Sequence, residues 1–181
     1  RWAAEAPDDN AIMWVSETGE EKEITFLQLK EESDRAASYL MSLGIGRGDM
    51  VMLILKRRYE FWIATIALHK IGAIAIPATH MLTTQDIVYR NNKASIKGII
   101  CVGEDYVLTQ VKNAMPQSPT VEVLASIGPK VPEGFHDWRK EVCEAPAFVR
   151  PAFVNTNDDI MLVYFTSGTS GEPKMVAHDF T

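Results

Sequence analysis

Short uninterrupted apolar runs alternate along this chain with segments whose apolar positions recur every three to four residues, a pattern that predicts strands and helices in turn. Val51 to Leu55, Ala73 to Ile76 and Gly98 to Val102 carry almost no polar side chain. Between them, helices are expected from about Tyr59 to Ile71 and from about Thr84 to Ala94, the second opened by a Thr83/Asp86 capping box. Strands that are apolar throughout, joined by helices, fit a mainly parallel sheet with helices on both faces, an α/β architecture. Residues 104 to 114 add a further helix and Val121 to Ala125 a further strand.

Ahead of this unit, Ala11 to Ser16 and Lys22 to Thr25 flank the turn-rich Glu17-Thr18-Gly19-Glu20 and read as a hairpin. Thr25 and Gln28 form a capping box, with Ile24 and Leu29 at the staple positions. Phe26, Leu29, Ala36, Ala37, Leu40 and Leu43 then follow at helical spacing until Gly44 stops the helix. Behind it, from Ser126 to Asp159, the rhythm breaks: Pro129, Pro132, Pro146 and Pro151 interrupt the pattern, with one short helix expected around Asp137 to Cys143. The expected organisation is an α/β sheet subdomain over 1–125, an irregular connection over 126–158, and over 159–181 a strand and loop that start the next part of a large domain.

Ile160 to Phe165 is a continuous apolar run, expected to be a strand covered on both faces, and it feeds Thr166-Ser167-Gly168-Thr169-Ser170-Gly171-Glu172-Pro173-Lys174. Four hydroxyls and two glycines supply donors without bulk, Pro173 stiffens the exit, and Lys174 adds a point charge suited to phosphate oxygens. The loop is not a Walker-type P-loop. Counting from Gly168, the second glycine position is Pro173, and Met175 stands where a Mg²⁺-binding Ser or Thr is needed.

What the loop does resemble is the phosphate signature of the adenylate-forming superfamily, close to YTSGTTGxPKG. Ser170 replaces the second threonine of the pair and Met175 the final glycine. The following Val176-Ala177-His178-Asp179 is similar to the acetyl- and medium-chain acyl-CoA synthetase branch. Two further segments resemble the same family: Leu68-His69-Lys70-Ile71-Gly72-Ala73-Ile74-Ala75-Ile76-Pro77, and the upstream Gly44-Ile45-Gly46-Arg47-Gly48-Asp49-Met50-Val51. Three motifs in the family's order over roughly 130 residues are far harder to reach by chance than one glycine loop.

The resemblance implies the N-terminal part of the large domain of an enzyme that activates a carboxylic acid, of short or medium chain, with ATP and Mg²⁺ as acyl-AMP, and then passes the acyl group to CoA. It implies that Thr166 to Lys174 bind the ATP phosphates. The adenine contacts, acyl pocket and catalytic lysine of the family lie downstream, so no catalytic residue is assignable and the chain to Thr181 is expected to be inactive alone. Two alternatives stay open: an adenylation domain or acyl-AMP ligase serving a carrier protein, and a non-catalytic truncated nucleotide-binding module. A partner strand or helix after the loop is expected to be missing.

Other residues are weaker candidates. His80 and Met81 follow the strand that ends at Pro77, where a CoA or acyl arm could pass, although a histidine in a connection is commonly an ordinary surface residue. Lys56-Arg57-Arg58 could meet CoA phosphates or simply be solvated. Trp14, Trp62 and Trp138 read as packing residues.

Composition narrows the picture further. Eighteen basic against 24 acidic residues, without a long single-sign block, give a net charge of -6 and no sign of a nucleic-acid surface. No apolar run approaches the ~20 residues that span a bilayer, so no membrane span is expected. Cys101 and Cys143 show no metal or redox spacing and read as buried, reduced thiols; no protein-held metal is expected, and the compartment is expected to be cytoplasmic.

Overall fold

The computed structural model describes residues 1–167 and 171–181. A short helix α1 (Trp2–Glu5) precedes the antiparallel hairpin β1 (Asn10–Val15) and β2 (Glu21–Thr25). Helix α2 (Phe26–Ser42) then starts at Thr25, whose hydroxyl accepts from Gln28 N–H while the Gln28 side chain accepts from Thr25 N–H. This reciprocal cap satisfies two of the donors a helix start leaves without partners. Gly44, with φ +81°, takes the left-handed turn that ends it.

The remainder alternates as the apolar pattern requires: β3 (Met50–Ile54), α3 (Glu60–Lys70), β4 (Ile74–Pro77), α4 (Thr84–Ala94), β5 (Gly98–Val102), α5 (Asp105–Ala114), β6 (Val123–Ile127), β7 (His136–Asp137), α6 (Trp138–Glu144), β8 (Ile160–Thr166) and β9 (Lys174–Asp179). Among the described residues, seven strands form one sheet in the order β7-β6-β5-β3-β4-β8-β9, parallel except for the β8–β9 pair. Helices α2, α3 and α6 pack together, and α4 packs on α5. The expected strands at 51–55, 73–76 and 98–102 are thus neighbours, shifted by at most one residue.

Every residue of β5 is buried, as are Val51 to Leu55, which accounts for the absence of polar side chains from both runs. From β3 the chain crosses to β4 on one side, whereas from β5 it moves to β6 on the other. The carboxyl ends of β3 and β5 therefore flank a topological switch point, the place where open α/β sheets hold ligands.

Several sequence expectations need correction. A partner strand does follow the loop: β9 pairs antiparallel with β8. Strand β8 is not covered on both faces among the described residues, because only Val163 is fully buried while Ile160 and Tyr164 are exposed. Trp138 is buried and Trp14 packs edge-on against Tyr59, but Trp62 is exposed. Cys101 is buried, whereas Cys143 faces solvent because α6 turns only its Trp138 and Val142 side inward.

Candidate functional site

The two upstream motifs meet the start of β8 at the amino-terminal edge of the sheet. Gly48 N–H donates to the Gly72 carbonyl at 2.8 Å, Ile74 N–H to the Asp49 carbonyl at 2.8 Å, and Arg47 reaches Asp159 at 3.0 Å. His69, in the last turn of α3, donates from Nε2 to the Met161 carbonyl at 3.2 Å, and Asn155 Nδ2 donates to the His69 carbonyl at 2.7 Å. Burial holds the His69 imidazole below its ordinary pKa, against the opposing effect of the Met161 carbonyl, so it sits there neutral. The two upstream motifs thus fix β3, β4 and β8 relative to one another. They aim β8 rather than supply ligand donors.

Because β8 runs parallel to β4, with Ala75 opposite Leu162, its carboxyl end lies on the same edge as the ends of β3, β4, β5 and β6. The hydroxyl-rich loop leaves from there. Thr166 pairs in register with Lys174 and Phe165 with Met175, so the loop is the connection of a β-hairpin whose mouth is closed by one hydroxyl and one ammonium. Thr166, Ser167, Gly171, Glu172 and Lys174 are exposed, and Gly171 has φ +97°, a conformation that favours glycine. Gly168, Thr169 and Ser170, half of the expected phosphate donors, lie outside the described residues.

Helix α4 braces this hairpin, which sequence reading missed. The Tyr89 hydroxyl donates to the Pro173 carbonyl at 2.9 Å and its ring meets Phe165 edge-on, while the Arg90 guanidinium lies 5.2 Å over the Phe165 ring. Seen only as sequence, Tyr89 and Arg90 are ordinary helix-surface residues. No local pattern links them to a loop more than eighty positions away.

A second group gathers at the switch point. Lys56, two residues beyond the end of β3, takes φ +52°, unusual for a residue with a side chain, and its ammonium pairs with Glu104 after β5 at 2.7 Å. Trp14 of the hairpin donates from Nε1 to the Arg57 carbonyl, and Lys22 lies 3.9 Å over the Tyr59 ring. The β1–β2 hairpin is thereby pinned over the β3–α3 turn. Glu17, Lys56, Arg57, Ala78, Thr79 and His80 line one cleft there, of about 360 Å³. His80 is therefore brought beside Lys56 and Arg57, whereas Met81 is 70% exposed and outside that lining. Among the described residues no three His, Cys, Asp or Glu side chains cluster as a metal site, and no helix is long and apolar enough to cross a membrane.

Comparison with known proteins agrees with this geometry. The family model for AMP-binding enzymes matches residues 1–180. The chain belongs to that family, the adenylate-forming superfamily its loop resembles. It is 32% identical over 177 residues to the mitochondrial acyl-coenzyme A synthetase ACSM3 of Pongo abelii, covering 97% of this chain and 30% of that protein. Among solved structures it is similar to an acyl-CoA synthetase of Brucella canis, with TM-score 0.81 and 26% identity over 96% of this chain and 31% of the other. An acetoacetyl-CoA synthetase of Streptomyces lividans shares the fold at TM-score 0.87 and 22% identity, over 99% of this chain and 29% of the other. The chain spans about 30% of the length of the curated relatives it matches.

Proposed function

We propose that this chain forms the phosphate-binding part of an acyl-CoA synthetase that activates a short- or medium-chain fatty acid as acyl-AMP and hands the acyl group to CoA. The observation that carries the reading is the hairpin mouth: Thr166 and Lys174 stand opposite each other at the carboxyl edge of a parallel sheet, flanking a loop of hydroxyls and glycines. The carboxylate attacks the α-phosphate of ATP, the bond to the β-phosphate breaks, and charge builds on the departing pyrophosphate. Thr166 to Gly171 donate hydrogen bonds to that charge, Glu172 and Pro173 shape the exit, and Lys174 neutralises it. No protein nucleophile is needed. Mg²⁺ would arrive held by the nucleotide's own phosphates and supply further neutralisation.

The cleft between Lys56, Arg57 and His80 is the proposed path of CoA. Cationic side chains at a switch point suit its phosphates, with His80 and Met81 flanking the acyl or pantetheine arm. The division into a 1–125 sheet unit, a 126–158 connection and a 159–181 strand and loop is retained as part of this proposal. For the compartment we retain the cytoplasm, supported by two free cysteines; the ACSM3 relative is named as mitochondrial.

The test is carboxylate-dependent exchange of labelled pyrophosphate into ATP by the full-length protein, with acetate, butyrate and octanoate as acids. Lys174→Ala removes a charge-assisted contact of ~1.5–3 kcal/mol, so exchange should fall on the order of ten- to a hundredfold with the fold intact. Exchange at the parent rate would end the role given to this loop.

A further inference from the structure

Among the described residues, one side-chain hydrogen bond ties the bracing helix to the exit of the loop. The Tyr89 hydroxyl donates to the Pro173 carbonyl at 2.9 Å, at the residue immediately before Lys174. Pro173 has no N–H, so its carbonyl is the only backbone hydrogen-bonding group it brings to the loop exit. In the hairpin register Lys174 is the first paired residue beyond it. The backbone that carries the Lys174 side chain is therefore anchored at the peptide that Tyr89 grips. Two aromatic contacts stabilise the same corner: Tyr89 edge-on to Phe165 at 6.2 Å between centroids, and Arg90 over Phe165 at 5.2 Å. Arg90 is itself fixed, donating to the Asp86 carbonyl at 3.0 Å. Phe165 and Pro173 lie at the two ends of the loop, so one helical face holds both its entry and its exit.

Removal from water and the Glu172 carboxylate beside it raise the Tyr89 phenol above its ordinary pKa, so it keeps its proton and remains a donor across the working pH range. The other end of α4 is capped at Thr83, three residues after His80. Tyr89 lies in the middle of the helix, away from that cap, and with Arg90 reaches the phosphate hairpin.

We propose that Tyr89 is a positioning residue of the pyrophosphate-forming step, acting through the Pro173 carbonyl to hold Lys174 where charge develops. This rests on the phosphate-loop reading above. A donor or cation helps only if it is already in place when the bond breaks, since moving it then spends part of the stabilisation it offers. Loss of the tie lets the exit peptide and Lys174 sample positions away from the leaving group.

Tyr89→Phe in the full-length protein removes the hydroxyl and keeps the ring on Phe165. Two half-reactions are measured with the acid that works best among acetate, butyrate and octanoate: pyrophosphate exchange, and transfer of the acyl group from preformed acyl-AMP to CoA. Exchange should fall about three- to tenfold, with thiol transfer and melting temperature unchanged. A merely structural role would lower both half-reactions together with the melting temperature, and that result overturns the inference, as does exchange at the parent rate. Lys174→Ala, measured in parallel, separates the two ideas. If Lys174→Ala impairs exchange and Tyr89→Phe does not, only the Tyr89 role is lost. If Lys174→Ala exchanges normally, the phosphate-loop reading falls and this inference with it.

Discussion

The Glu60 carboxylate is 3% exposed and takes both Nε and Nη2 of Arg139 on one oxygen, at 3.0 and 2.6 Å. Its other oxygen is buried with no hydrogen-bond partner among the described residues. The pair joins the start of α3 to α6, 79 residues further on, and ties the proline-rich connection back to the sheet. A carboxylate out of water is tolerated only while its partner stays.

Replacing Arg139 by Ala should therefore cost about 2 kcal/mol, below the usual range for breaking a buried pair because the guanidinium is itself half in water and partly screened. Urea unfolding at neutral pH measures it. A midpoint unchanged from the parent would show that the Glu60 charge is not held by this pair. Glu60→Gln combined with Arg139→Ala should restore part of the loss.

Asp34 predicts a pH dependence. Burial works to raise its carboxyl pKa, but hydrogen bonds and charge from Lys30 and Lys70, both at 2.7 Å, outweigh it and hold the group below the ordinary carboxylate range. The Lys70 pKa is lowered as well, because its own burial outweighs the attraction of Asp34. A carboxyl depressed in the folded state stabilises above its unfolded pKa, and that contribution is lost as pH falls through the folded value. Asp34→Asn should cost about 0.5–1 kcal/mol at pH 7, after screening by solvent, and almost nothing near pH 2. Urea titrations at both pH values decide; an equal difference at the two would refute the ionic origin.

The two thiols should differ sharply. Burial pushes Cys101 up to about 12, while Cys143 lies exposed on α6. At pH 8 iodoacetamide should label one site in the native protein, identified by peptide mass as Cys143, and both after denaturation. Fast native labelling of Cys101 would show that β5 opens readily.

The chain's own pattern determined the β3–α3–β4–α4–β5 alternation, both capping boxes and the parallel sheet, because periodicity, caps and full apolarity are local consequences of burial. It also singled out Thr166 to Lys174 as the proposed phosphate loop, by residue types that suit phosphate oxygens. Tertiary structure alone decided the rest. The expected two-sided cover of β8, the inward place of Trp62 and the burial of Cys143 failed because each depends on which neighbour happens to cover that face. Local composition carries no record of that. The brace from Tyr89 to Pro173 and the meeting of Lys56 with Glu104 and His80 were likewise invisible. The second arises where the strand order reverses between β3 and β5, the first where α4 passes the β8–β9 hairpin, and only the path of the chain through space brings those segments together.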